Sequence, residues 1–149
     1  MISTGIWKGQ YKYDDKLHQK LKGIDSTNFE IIVTSTANER FNGTVQDDLA
    51  TGGTEGIGEI VGKVSGDKIE FIKQMPVMTL VVDKKGTRKT FNKKQRKIYY
   101  TGTFSDDRKI ISGEWKFKFG FIWIGIIPIP VQATKGIWTM RLAEEVKST

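Results

Sequence analysis

The stretch Ile57-Gly58-Glu59-Ile60-Val61-Gly62-Lys63-Val64-Ser65-Gly66-Asp67-Lys68-Ile69-Glu70-Phe71-Ile72-Lys73-Gln74-Met75 decides the fold class. Two alternating runs rich in β-branched and aromatic residues flank Ser65-Gly66-Asp67, and a short Gly-bearing break between such runs is a hairpin signal. A turn this tight forces the strands antiparallel, because parallel neighbours need a long crossover. Lys73 would face inward if Phe71 and Met75 do, but a charge is simpler to place at a frayed strand end.

Working outward, the same period of two recurs in both directions. Ile6–Tyr13 puts Trp7, Gly9, Tyr11 and Tyr13 on one face and Lys8, Gln10 and Lys12 on the other. Phe29–Thr36 and Arg40–Gln46 flank the turn Ala37-Asn38-Glu39. Ile98–Phe104 and Ile110–Lys118 flank Ser105–Lys109. Gly136–Leu142 is the last strand, with a fraying polar tail over Ala143–Thr149. About eight strands joined mostly by short turns predict one all-β domain over 1–149, a single up-and-down antiparallel barrel. A β-sandwich is the alternative.

Composition agrees. The chain has 149 residues, 16 glycines and only 3 prolines. Glycine is thus above its usual ~7%, as tight turns and closely approaching strands require. With no cysteine, disulfides, thiolate metal sites and cysteine nucleophiles are excluded. Met1 leads into a segment with neither a basic nor an apolar signal region, so a cytoplasmic chain is the expectation.

Gly5-Ile6-Trp7 opening the first strand, and Arg141 within Trp138-Thr139-Met140-Arg141-Leu142 of the last, resemble the calycin superfamily of lipocalins, fatty-acid-binding proteins and avidins. Gly113-Glu114-Trp115 and Gly136-Ile137-Trp138 resemble the Gly-x-Trp steps of avidin-like barrels. The resemblance implies a ligand-binding barrel closed at one end by Trp7 packed beneath Arg141. It names no ligand. The chain departs from those families in lacking a helical segment after its last strand, and its first connection is too short for a paired-helix lid.

Candidate functional residues fall into three groups. Tyr11, Phe29, Phe41, Phe71, Tyr100, Phe104 and Trp115 share the inward parity and could line an apolar pocket, with Tyr11 and Tyr100 as polar handles. Lys84, Lys85, Arg88, Lys89, Lys93, Lys94, Arg96 and Lys97 supply eight positive charges with no acid between them, so the rest of the chain is close to neutral against the formal +7. That basic loop over 84–97 reads first as a solvated insertion and next as a contact for anionic surfaces. Nucleic acid is not the expected partner, since only Phe91 lies inside the loop to stack on bases.

The third group is the apolar segment 119–131, with Phe121, Trp123, Ile126 and Ile127 as a lid or interface. Its large apolar residues occur on both parities, so a one-sided strand would leave half of them wet. Packing as a lid or on the domain's own core ranks first, self-association as a homodimer next, and membrane contact last.

Nothing points to catalysis. His18 is the lone histidine, in a polar connection. The pairs Asp14-Asp15, Asp47-Asp48 and Asp106-Asp107 fall at strand ends, where Asp is a turn residue. Thr51–Gly56 lacks the Lys-Ser/Thr of a phosphate loop and reads as a flexible loop. The sequence calls for no cofactor and no metal. The expectation is non-enzymatic binding of a small, mainly hydrophobic ligand inside the barrel, with an interaction module built on 119–131 as the rival.

Overall fold

The computed structural model describes residues 1–13, 26–81, 88–91, 97–118, 120–131 and 133–146. Its strands are β1 (Gly5–Tyr13), β2 (Thr27–Ala37), β3 (Arg40–Asp47), β4 (Ile57–Ser65), β5 (Lys68–Gln74), β6 (Met78–Val81), β7 (Arg88–Phe91), β8 (Ile98–Phe104), β9 (Ile110–Phe117), β10 (Gly120–Ile124), β11 (Ile127–Val131) and β12 (Thr134–Glu145). Eight of them close into an antiparallel barrel in the order β1-β12-β9-β8-β5-β4-β3-β2. That is the up-and-down barrel expected, and the sandwich is excluded. The remaining four form two separate two-stranded sheets, β6-β7 and β10-β11.

Alternation sorts each strand. Along β4 and β5, Ile60, Val64, Ile69, Phe71 and Met75 are buried, while Glu59, Lys63, Lys68 and Glu70 face water. Ile57 and Val61 of β4 are exposed as well, so the outer wall is mixed rather than wholly polar. Among the described residues no helix is long and apolar enough to cross a membrane.

The Gly-x-Trp steps have a packing reason. β9 and β12 pair so that Gly136 lies opposite Trp115 and Gly113 opposite Trp138. Each indole lies beside a strand that offers no side chain. A Cβ on Gly136 would come within 2.5 Å of the Trp115 ring, and one on Gly113 would strike the carbonyl of Thr101. The indole N–H groups then reach backbone carbonyls, Trp115 donating to Lys12 at 3.2 Å and Trp138 to Thr101 at 3.0 Å. Buried indoles keep their hydrogen bond this way, and the glycines admit the coiling that closure needs.

The two barrel ends differ. The β2–β3, β4–β5 and β8–β9 turns and both termini lie at one end, here the turn end. The connections out of β1, β3, β5 and β9 all leave from the other, the loop end. The tail was expected to fray from Ala143. Instead Glu144 and Glu145 pair with Ile6 and Gly5, and the Val146 N–H bonds the Thr4 carbonyl at 3.0 Å.

The expected clasp of Trp7 by Arg141 does not form. Trp7 is fully buried and gives its indole N–H to Ser3 at 3.0 Å. Arg141 pairs with Lys8, and both are exposed on the outer wall. One step along a strand reverses the face, and Arg141 falls on the wrong parity. Arg108 closes the turn end instead. Its guanidinium lies 4.1 Å from the Phe104 ring centre and donates to the Gly66 and Met1 carbonyls, each at 3.1 Å. That ties the N-terminus across the barrel base, where Ile2 is buried.

Candidate functional site

All seven aromatic residues assigned to a pocket are buried in the interior: Tyr11, Phe29, Phe41, Phe71, Tyr100, Phe104 and Trp115. Six of them are in ring contact with aromatic neighbours, while Phe104 packs under Arg108. Phe71 stacks on Tyr100 at 4.7 Å between ring centres, Tyr11 meets Trp115 edge-on at 5.9 Å, and Phe41 meets Phe71 at 6.1 Å. Rings at these separations pack as a core. The glycines leave room for rings: a Cβ on Gly62 would sit 2.5 Å from Phe71 and 2.8 Å from Phe41. A depression of about 960 Å3 lies across β12, β1, β2 and β3, lined mostly by outer-wall residues of mixed charge such as Lys8, Glu30, Asp48 and Arg141.

At the loop end the interior holds an ion pair. Lys73 Nζ lies 2.6 Å from Asp47 Oδ1, with side-chain exposures of 3% and 1%. Lys73 therefore does not fray outward. Ile69, Phe71 and Lys73 share one parity on β5, continued by Met75 just past its end, as Phe41, Val45 and Asp47 do on β3, and both charges follow their neighbours inside. Asp47 Oδ2 accepts the Tyr11 hydroxyl at 3.2 Å and the Thr54 backbone N–H at 3.1 Å. The ammonium group also lies 4.8 Å from the Tyr11 ring centre and 5.9 Å from that of Phe29. A buried charge survives only when paired and hydrogen-bonded, and here both conditions hold.

This cluster anchors the β3–β4 connection. Gly52, Gly53 and Thr54 are buried, so the glycine stretch is an ordered plug rather than a flexible loop. Asp48 caps the short 3-10 turn Leu49–Thr51 through the Ala50 N–H at 3.1 Å. Thr51 bridges to β2, accepting from Thr27 Oγ1 at its carbonyl and from the Asn28 N–H at its hydroxyl, each at 2.9 Å. Neither Lys73 nor Asp47 is open to a substrate. The arrangement locks the loop.

Burial pushes the Tyr11 hydroxyl well above the usual tyrosine range, and the Asp47 charge adds to it. Tyr100 is raised for the same two reasons, burial first. In the unfolded chain both phenols release their protons near pH ~10. Above that pH the folded state binds more protons than the unfolded one, so stability falls as pH rises further. We expect thermal unfolding to show this alkaline decline, and Tyr11→Phe/Tyr100→Phe to flatten it. An unchanged slope in the double variant would contradict this assignment.

Among the described residues no cluster of three or more His, Cys, Asp or Glu side chains could hold a metal. Asp106-Asp107 serves the β8–β9 turn: the Ser105 hydroxyl and the Lys109 N–H bond the Asp107 carboxylate at 2.6 and 3.0 Å. Those bonds hold its pKa below the usual value. His18 and Asp14-Asp15 lie outside the described residues, as do Lys84, Lys85, Lys93, Lys94 and Arg96 of the basic loop. Arg88 and Lys89 begin β7, and Lys97 is exposed just before β8.

The apolar segment forms the β10-β11 hairpin, which stands apart from the barrel sheet. Packing on the domain's own core was the first expectation, and the side chains do not bear it out. Phe121 and Trp123 are each 56% exposed, Ile127 61%, and Ile126 at the tip 92%. Cross-strand pairing sets Phe121 opposite Pro130 and Trp123 opposite Pro128 on one face. Ile124 lies opposite Ile127 on the other face. Apolar side chains are thus exposed on both faces and at the tip. Comparison with protein-family models, with curated proteins and with solved structures found no match to this chain.

Proposed function

We propose that this protein is a non-catalytic attachment domain: the barrel is a rigid scaffold, and the β10-β11 hairpin is the element that makes contact. One observation carries the reading. Trp123 and Ile127 are more than half exposed on opposite faces of a hairpin whose tip residue, Ile126, is almost wholly exposed. Single exposed apolar residues are ordinary, but a contiguous group on a projecting element marks an interaction site. The expectation of a small hydrophobic ligand inside a calycin-like barrel has weaker support. The Gly-x-Trp steps favour that kinship, but most of the candidate pocket residues are spent on contacts with one another and with strand glycines.

The tryptophans allow a direct test. Trp7, Trp115 and Trp138 are buried, which leaves Trp123 as the exposed indole. Neutral detergent micelles offer an apolar surface without charge. Trp123 emission should shift to the blue on adding them, and the shift should vanish in Trp123→Phe. Emission that ignores micelles would overturn the reading.

A further inference from the structure

We infer that the surface this hairpin engages is an anionic lipid bilayer, an inference that rests on the hairpin being the contact element. Four features of the loop end point there. The first is two-sidedness. A flat protein partner covers one face of a hairpin and leaves the other wet, whereas a lipid phase surrounds an inserted element on every side. Trp123 on one face, Ile127 on the other and Ile126 at the tip are all exposed, which suits the surrounding medium.

The second is charge. No charged residue lies between Lys118 and Lys135, so the hairpin carries none of its own. Exposed lysines stand at its base: Lys116 and Lys118 on the way in and Lys135 on the way out. Lys116 and Lys135 are direct cross-strand partners. Two lysines side by side offer an anionic headgroup layer a paired cationic contact. Arg88, Lys89 and Lys97 belong to the neighbouring connection, which leaves and rejoins the barrel at this same end. Apolar insertion ringed by cationic attraction is the usual peripheral arrangement.

The third is reach. A five-residue strand rises about 16 Å at ~3.3 Å per residue, about half the ~30 Å hydrocarbon core. The hairpin can enter one leaflet and cannot span two. The fourth is edge chemistry. Pro128 and Pro130 in β11 have no N–H, so they fit where a donor would point away from β10, on the free edge. A strand edge short of two donors is a poor template for pairing with a second copy of the chain.

The test is sedimentation with vesicles of phosphatidylcholine alone and of phosphatidylcholine mixed with phosphatidylserine. The protein should bind the mixed vesicles at least tenfold more tightly, with a blue shift of Trp123, and binding should weaken as salt is raised. Lys116→Ser/Lys135→Ser should bind the anionic vesicles roughly 25-fold more weakly, at about fivefold per lysine near the surface. Equal binding to both vesicle types, or binding to neither, would overturn the lipid assignment. If neither vesicle binds while neutral micelles still shift Trp123, the contact reading stands and a protein partner or a second copy replaces the bilayer. If micelles also fail, both readings fall.

Discussion

Asp47→Ala should destabilise the barrel by about 3–5 kcal/mol, because it strands the Lys73 ammonium in the interior without its counter-charge. Asp47 holds Lys73, Tyr11 and the Thr54 N–H at once, so the substitution also takes the acceptor from the buried Thr54 amide. The loss is a large fraction of the ~5–15 kcal/mol that stabilises an ordinary domain. Lys73→Met alone should be milder, since Asp47 keeps two hydrogen-bond donors. Asp47→Leu/Lys73→Met should recover most of the stability, because a well-packed apolar pair commonly equals or exceeds a buried ion pair. Guanidinium unfolding of the three variants measures this. If Asp47→Ala costs under about 1 kcal/mol, the pair is wet and the plug is not locked as described.

The recovery also separates structure from chemistry. A lock can be replaced by apolar residues of similar volume, whereas an acid–base pair cannot. A folded double variant that still engages an apolar surface would place the site of action outside the barrel interior.

The barrel was legible because period-two alternation is a physical consequence of the pleat, and it persists wherever one face is buried. Trp7, Tyr11, Phe71 and Tyr100 sat on readable parities and are all inside. The same rule points Lys73 inward, but a charge in an apolar interior is costly, so a frayed strand end is its simpler reading, and Asp47, just past Gln46, reads as a turn residue. The partner that offsets the cost comes from a strand 26 residues away in sequence. Sequence spacing along one strand cannot show such a pairing. Arg141 illustrates the opposite error: a short motif borrowed from a resemblance overrode the parity that places it beside Lys8 on the outer wall. Arg108 gave no signal of its role, because its reach to Met1 depends on how the chain ends meet at the turn end.

The segment 119–131 was only half readable. Its apolar residues on both parities showed that no one-sided strand could bury them all, but not whether they fold back or project. The structure decides that point through exposure at Trp123, Ile126 and Ile127. Connections from β1, β3, β5 and β9 gather at one end because strands in an up-and-down barrel alternate in direction. The basic and apolar insertions therefore share an end although 21 residues, Ile98–Lys118, separate them in the chain.

The central claim is that the hairpin makes contact while the barrel merely carries it. The most direct measurement compares the native chain with Trp123→Ser/Ile126→Ser/Ile127→Ser on neutral micelles, alongside the unfolding midpoint of each. Burying an aliphatic or aromatic side chain contributes about 1.5–3 kcal/mol, so removing three should weaken apolar binding by several orders of magnitude. The midpoint should stay nearly unchanged, since all three side chains are exposed and outside the core. A variant that binds as well as the native chain, or one whose barrel melts far earlier, would contradict the division of the molecule into scaffold and contact element.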